Sequence, residues 1–290
     1  MPDHFEPLRP RIGARCSADR ATLLDPSFGP VCMEALERFG VLLFPRVGFS
    51  DQEQILFSRN LGELVPQGRP RPDGSQEEVF KITLDPRENP SAEYLKATIE
   101  WHIDGLFEDG APPRATMLSA RRLSATGGQT EFCNTYAAYD DLDPSRRDRL
   151  DRLRVVHSLE ASNRATNPDP TPQEAEAWRR AEQARERAGR IGVKEHPLVW
   201  RHASGRRSLV LGMSVDHVSD VSEEASREII GELSAHATRA ENVYRHEWEV
   251  GDVLLWDNCG VMHRAVPYPA DSGRMMHRTV LAGTETIEAV

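Results

Sequence analysis

Lysine, paired cysteines and long apolar runs are what this 290-residue chain has least of. A membrane-crossing helix needs about 20 consecutive apolar residues, and no stretch of the sequence comes near that length, so no membrane span is expected. The opening residues, Met1-Pro2-Asp3-His4-Phe5-Glu6, lack the basic-then-apolar pattern of a secretory leader, which makes a cytoplasmic location the expectation. Cys16, Cys32, Cys133 and Cys259 contain no C-x-x-C pair. That excludes the common zinc and disulfide frameworks and predicts reduced thiols. Only Lys81, Lys96 and Lys194 are lysines, and the other 33 basic residues are arginines. So strong a bias is compositional, and any one arginine carries little functional weight by itself. Positive charge is also outnumbered. A net charge of −10 argues against nucleic acid or an anionic membrane as partner, since both demand a basic face. Internal repeats and low-complexity tracts are missing too.

What is present suffices for a full core, in one large β-type domain with insertions or in two domains. Residues 33–39 read as a helix stopped by Gly40, followed by an apolar strand at 41–44 that Pro45 ends. Ser50 and Glu53 form a capping box for a second helix, 51–60. From 64 to 90 the chain is rich in proline, glycine and charge, with one β-like island at 79–84, and the candidate lid spans 64–100. Long loops in compact domains are often functional, so this segment reads as a surface loop or an active-site lid. Strands are expected at 115–120, 129–132, 208–211, 243–249, 253–256 and 276–281, with a turn at Thr126-Gly127-Gly128. Asp143-Pro144 and Thr171-Pro172 each open a helix, giving a helical insertion over 140–190, and a further helix is expected from about 222 to 239. Short strands between turns, with helices gathered in insertions, predict one mainly β domain over 1–290. Its expected fold is a double-stranded β-helix, the jelly-roll or cupin-like barrel.

Two clusters carry the chemistry: Trp101-His102-Ile103-Asp104, and the run from Trp256-Asp257-Asn258 to His263. A His and an Asp two apart on a strand share a face. A second imidazole from a distant strand completes two histidines and one carboxylate, the set that leaves open positions on a metal in non-haem Fe(II) oxygenases. Arg274 follows His263 by eleven residues and Arg278 by fifteen. A guanidinium just past a metal ligand suits bidentate capture of a carboxylate. Positions 274, 276 and 278 share one strand face, so if one arginine points inward both do, and a buried guanidinium needs an anion. That anion is either a protein carboxylate or a substrate group. His157, His196, His202, His217, His236, His246 and His277 lack ligand spacing, and ordinary structural roles are expected for them.

With Ser124-Ala125-Thr126-Gly127-Gly128-Gln129-Thr130 added, these motifs resemble the taurine/2,4-dichlorophenoxyacetate dioxygenase family, in the family's order and over about 35–285. The resemblance implies Fe(II) held by His102, Asp104 and His263, and the cosubstrate 2-oxoglutarate held by Thr130 and Arg274. It also implies that Arg278 faces an anionic substrate group. The implied reaction is hydroxylation or oxidative cleavage of a small carboxylate or sulfonate with O2, releasing succinate and CO2. Asp104 in the ligand set favours hydroxylation over halogenation, which would need that position for halide. Departures bear on the substrate. The His-rich stretch of the taurine enzymes is missing at 64–69, and Thr98 stands where they carry Asn, so taurine itself is not expected. The segments 234–238 and 280–285 look closer to the aryloxyalkanoate branch. Two other readings stay open: a non-catalytic barrel binding a small acid or metal, and a zinc hydrolase on the same three ligands. The hydrolase would need a separate base such as Glu100 or Glu108. A homo-oligomer is left open as well.

Overall fold

The computed structural model describes residues 4–66, 77–89, 96–108, 110–187 and 192–287. Its frame is a mostly antiparallel sheet of seven strands and an antiparallel sheet of three. The larger runs in the order Phe5–Pro7, Ala14–Cys16, Val41–Phe44, Val253–Asp257, Ala115–Arg122, Met275–Leu281, Phe80–Ile82. One pair in it is parallel, Ala14–Cys16 beside Val41–Phe44. The smaller has Thr130–Asn134 between Val243–His246 and Val261–Ala265.

Period-two alternation decides what each face meets. Val41, Leu43, Leu118, Leu254, Trp256 and Met276 of the large sheet pack against Phe132, Tyr244 and Val261 of the small one, so the sheets face each other. The intervening residues Leu42, Phe44, Met117, Val253 and Leu255 turn the other way, onto Leu36, Phe57 and Leu61 of two outer helices. Beyond the small sheet, Cys133 and Met262 join a third cluster around Leu198, Trp200, Leu209 and Leu233. Facing antiparallel sheets flanked by helices make the expected jelly roll.

The two outer helices are Phe28–Phe39 and Asp51–Leu61. The first starts earlier than expected because Pro30 falls in its first turn, where a missing N–H costs nothing. Gly40 ends it at φ 71°. The second carries the expected capping box, with Ser50 N donating to Glu53 Oε2 at 2.9 Å and Glu53 N to Ser50 Oγ at 3.3 Å. This helix meets the large sheet through a polar seam. Gln54 Nε2 donates to the His277 carbonyl at 3.0 Å, Ser119 Oγ donates to Gln54 Oε1 at 2.6 Å, and Ser58 shares a hydrogen bond with Thr279 at 2.8 Å.

Two expected segments differ in detail. The β-like island becomes Phe80–Ile82, an edge strand paired with Met275–Leu281, and Val65 N donates to the Val280 carbonyl. Those parts of the 64–100 segment are thus tied to the sheet, while 67–76 and 90–95 lie outside the described residues. The interval 140–190 holds helices Pro144–Leu150, Leu159–Thr166 and Pro172–Arg187, but also strand Arg154–Ser158. That strand pairs with Val215–Val218 and Val193–Pro197 in a separate three-stranded sheet. All four cysteines are buried and free. Among the described residues no helix is long and apolar enough to cross a membrane.

His157, on that extra strand, is fully buried and bonds Ser214 Oγ at 2.8 Å. Burial, with His196 second, pushes its pKa down to about 3. The folded chain therefore keeps it neutral where an unfolded histidine, near 6.5, takes up a proton. Its contribution is whole above about pH 6.5 and is lost as pH falls toward 3, at up to about 1.4 kcal/mol per pH unit. Urea midpoints measured from pH 7 to 4.5 should fall more steeply for the wild type than for His157→Gln. Parallel slopes would refute the account.

Candidate metal centre

His102 does not sit on a regular strand as the sequence suggested. An isolated bridge does the same work: His102 N donates to the His263 carbonyl at 3.0 Å, and His263 N to that of His102 at 2.9 Å. Gly212 lets another segment close on this bridge, since a Cβ there would lie 3.1 Å from the His102 Cα. His263 lies on Val261–Ala265 two residues after Val261, and therefore points between the sheets.

The three donors converge. Asp104 Oδ1 lies 3.8 Å from His102 Nε2 and 3.9 Å from His263 Nε2, and all three fall within 4.8 Å of one another. His102 Nδ1 contacts the Glu100 carbonyl at 2.8 Å, which puts the ring proton there and leaves the Nε2 lone pair facing inward. Burial, then His102, pushes the His263 pKa down to about 3, so this imidazole is neutral. Burial alone would raise the Asp104 pKa, but His263, Arg278, His102 and the Thr116 hydroxyl hold it below its ordinary value. Unprotonated nitrogen and carboxylate donors are what a divalent metal needs. Two imidazoles and one carboxylate match the iron-binding triad with open positions.

The turn before His263 is held from outside. Asp257 is fully buried and accepts from Tyr136 Oη at 3.0 Å, from the Cys259 amide at 2.8 Å and from Arg114. Gly260 is required beneath Tyr136, because a Cβ would come within 1.9 Å of that ring.

Arg274 is 3% exposed. Its guanidinium donates to the Gly128 carbonyl at 3.1 Å and stacks on Tyr268 at 4.6 Å, while Nε is buried without a partner. Among the described residues no carboxylate pairs with it. A Cβ on Gly128, at φ +80°, would sit 2.9 Å from that Nε, so glycine here is what leaves room for the guanidinium. Thr130 is buried on the inner face of its strand, and its Oγ1 accepts from Trp248 Nε1 at 3.0 Å, leaving the hydroxyl proton for another acceptor. Arg278 shares the inner face with Met276 as expected. Arg274, however, lies just before the strand Met275–Leu281, whose register shifts between Met275 and Met276, so the single face expected for 274, 276 and 278 does not extend to Arg274. Its guanidinium lies 5.3 Å from the centre of the Phe80 ring, and its charge acts on both Asp104 and His263.

The remaining histidines take structural roles where they are bonded, His246 to Asp252 at 3.0 Å and His277 to Asp51 at 2.7 Å. Glu100 meets the triad through its backbone carbonyl. Sequence reasoning missed Thr116, Gly128, Trp248, Tyr268 and Phe80, and it quoted Asn258 without a role. Thr116 had a faint signal, a hydroxyl in a strand that is otherwise largely apolar.

Residues 4–280 match the family described as taurine catabolism dioxygenase TauD, TfdA. An alpha-ketoglutarate-dependent sulfate ester dioxygenase of Pseudomonas putida is 33% identical over 96% of this chain and 88% of its own length. An alpha-ketoglutarate-dependent 2,4-dichlorophenoxyacetate dioxygenase of Cupriavidus pinatubonensis is 33% identical over 84% of each. Among solved structures, AAD-2 in complex with Mn(II) and N-oxalylglycine superposes with a TM-score of 0.78 at 26% identity, covering 98% of both chains.

His102→Ala and His263→Ala should each abolish tight Mn(II) binding in calorimetry while leaving the far-ultraviolet circular dichroism unchanged. Stoichiometric metal in either variant would remove that residue from the centre.

Proposed function

The chain belongs to the TauD/TfdA family of Fe(II)- and 2-oxoglutarate-dependent dioxygenases, and we propose that His102, Asp104 and His263 hold its iron. Thr130 and Arg274 anchor the far carboxylate of 2-oxoglutarate, and Arg278 receives an anionic group of the substrate. The observation that carries this reading is the convergence of two imidazole nitrogens and one carboxylate oxygen on one point between the sheets. Bound there, iron with 2-oxoglutarate and O2 supplies oxidation of a substrate C–H bond, with succinate and CO2 released.

This chain's residues bind, orient and exclude water. Arg274 offers two parallel N–H donors to a carboxylate, and since among the described residues no acid pairs with it, that demand is left for an entering anion. Thr130 contributes its hydroxyl proton to the same group. Trp256, packed on the His263 ring at 4.7 Å, and Phe132, at 6.4 Å, line the centre with apolar surface. Arg278 on the Phe80 face presents a charge beside an apolar wall, which suits an organic acid with a hydrophobic body. The names of the two relatives, one acting on sulfate esters and one on 2,4-dichlorophenoxyacetate, support that class. The non-catalytic barrel and the zinc hydrolase have no comparable support. Four buried free thiols fit a reducing compartment, so we place the enzyme in the cytoplasm, acting on small molecules without nucleic acid or membrane. Succinate release from 2-oxoglutarate, screened over aryloxyalkanoates, alkyl sulfates and sulfonates, tests the class. No coupled release with any of them would sink it.

Arg274→Ala should weaken 2-oxoglutarate by about 1.5–3 kcal/mol, roughly ten- to a hundredfold in Kd, the loss for a charge-assisted pair. Unchanged affinity in calorimetry would clear Arg274 of the role.

Arg278→Leu should leave Fe(II) and 2-oxoglutarate binding intact and weaken the substrate by about 2–5 kcal/mol. Structural pairing of Arg278 would instead give a lower melting temperature with substrate KM unmoved.

A further inference from the structure

One oxygen of Asp104 faces the two imidazole nitrogens, and the other is tied into a buried chain of side chains behind it. The direction of that chain is fixed by chemistry. The Trp256 indole N–H can only donate, and it does so to Asn258 Oδ1 at 3.0 Å. The Asn258 amide nitrogen is thereby turned to Thr116, where it donates to Oγ1 at 2.8 Å. With its oxygen accepting from Asn258, the Thr116 hydroxyl sends its single proton to Asp104 Oδ2 at 3.1 Å. Thr116 and Asn258 have no exposure and Trp256 has 2%, so water does not substitute for any member. The backbone secures the middle link as well, because Asn258 N donates to the Arg114 carbonyl at 3.2 Å.

A carboxylate binds a metal through one oxygen or two. Two imidazole nitrogens and one carboxylate oxygen leave three positions open on a six-coordinate ion. A chelating 2-oxo acid takes two of these and leaves one. If Oδ2 also bound, that last position would be gone. We propose that Thr116 is a positioning residue that confines Asp104 to a single metal-bound oxygen, Oδ1, and so preserves the position at which a diatomic reactant enters. This rests on the assignment of His102, Asp104 and His263 to iron. Trp256 serves both ends, since its ring packs on His263 while its N–H starts the relay toward Asp104.

The test uses the full-length protein with Fe(II) and 2-oxoglutarate under anaerobic conditions, with nitric oxide as an inert probe of the last position. The wild type should show the visible absorption of an iron-chelated 2-oxo acid and bind nitric oxide. Thr116→Val keeps the shape and removes the hydroxyl. It should retain the absorption and lose nitric oxide affinity on the order of ten- to a hundredfold, the usual effect of deleting a partner behind a metal ligand. Thr116→Ser should restore it, and Asn258→Ala should fall between, because it frees the hydroxyl to rotate without removing it. The proposal is overturned if Thr116→Val binds nitric oxide like the wild type, even with a lowered melting temperature, or if Thr116→Ser is as impaired as Thr116→Val. A wild type that shows no iron-bound 2-oxo acid would overturn the functional reading with it.

Discussion

The reciprocal pair of backbone hydrogen bonds between His102 and His263 is the constraint on which the centre depends. Residues 101–104 belong to no regular strand, and left alone such a segment would place its side chains loosely. Pinning His102 to the small sheet brings the two imidazoles to a ring separation of 4.1 Å and sets Asp104, two residues on, against both. Gly212 and the bond from Met213 N to the Trp101 carbonyl close the other side of the bridge. A short irregular segment thus gains the rigidity of a sheet at the one place where donor positions matter.

Around that pin, the two sheets divide labour by alternation. Inward positions of the strands supply Thr116, Thr130, His263 and Arg278, while outward positions are spent on helices and the Trp200 cluster. The charges inside are handled unequally. Asp257 is matched by Arg114 and Tyr136, whereas Arg274 finds a carbonyl and a ring but, among the described residues, no acid. A buried charge left without an opposite charge is costly, and it is this unmet demand at Arg274 that the proposed carboxylate would satisfy.

Much of this was legible in the sequence, for physical reasons. The H-x-D motif and the distal His263 are short, ordered signals, so the triad could be read from the residues even though the strand expected at His102 is an isolated bridge. Strand parity gave the inward direction of Arg278. Ser50 with Glu53, and the apolar run at 41–44, are local signals, and both elements formed as expected. What escaped depends on partners far away in the chain. Gly128 looked like a turn residue because nothing local reveals a guanidinium 146 residues downstream. Thr116 looked like an ordinary β-branched residue because its meaning comes from Asn258, 142 residues away. The edge strand Phe80–Ile82 was too short and too interrupted to claim a place in the main sheet before its pairing was known.

The polar seam between the helix Asp51–Leu61 and the sheet bears on fidelity of assembly. Greasy faces slide over one another at little cost, but Gln54, Ser58, Ser119 and Thr279 meet through directional bonds that accept one alignment. A slip of a single residue along the last strand would exchange its faces, turning the Arg278 guanidinium out and bringing His277 and Thr279 between the sheets. The seam makes that mistake expensive, because it would strand several buried dipoles at once. The helix thus acts as a gauge against which the arginine-bearing strand is set during folding, a proofreading surface placed on the far side of the sheet from the chemistry it protects.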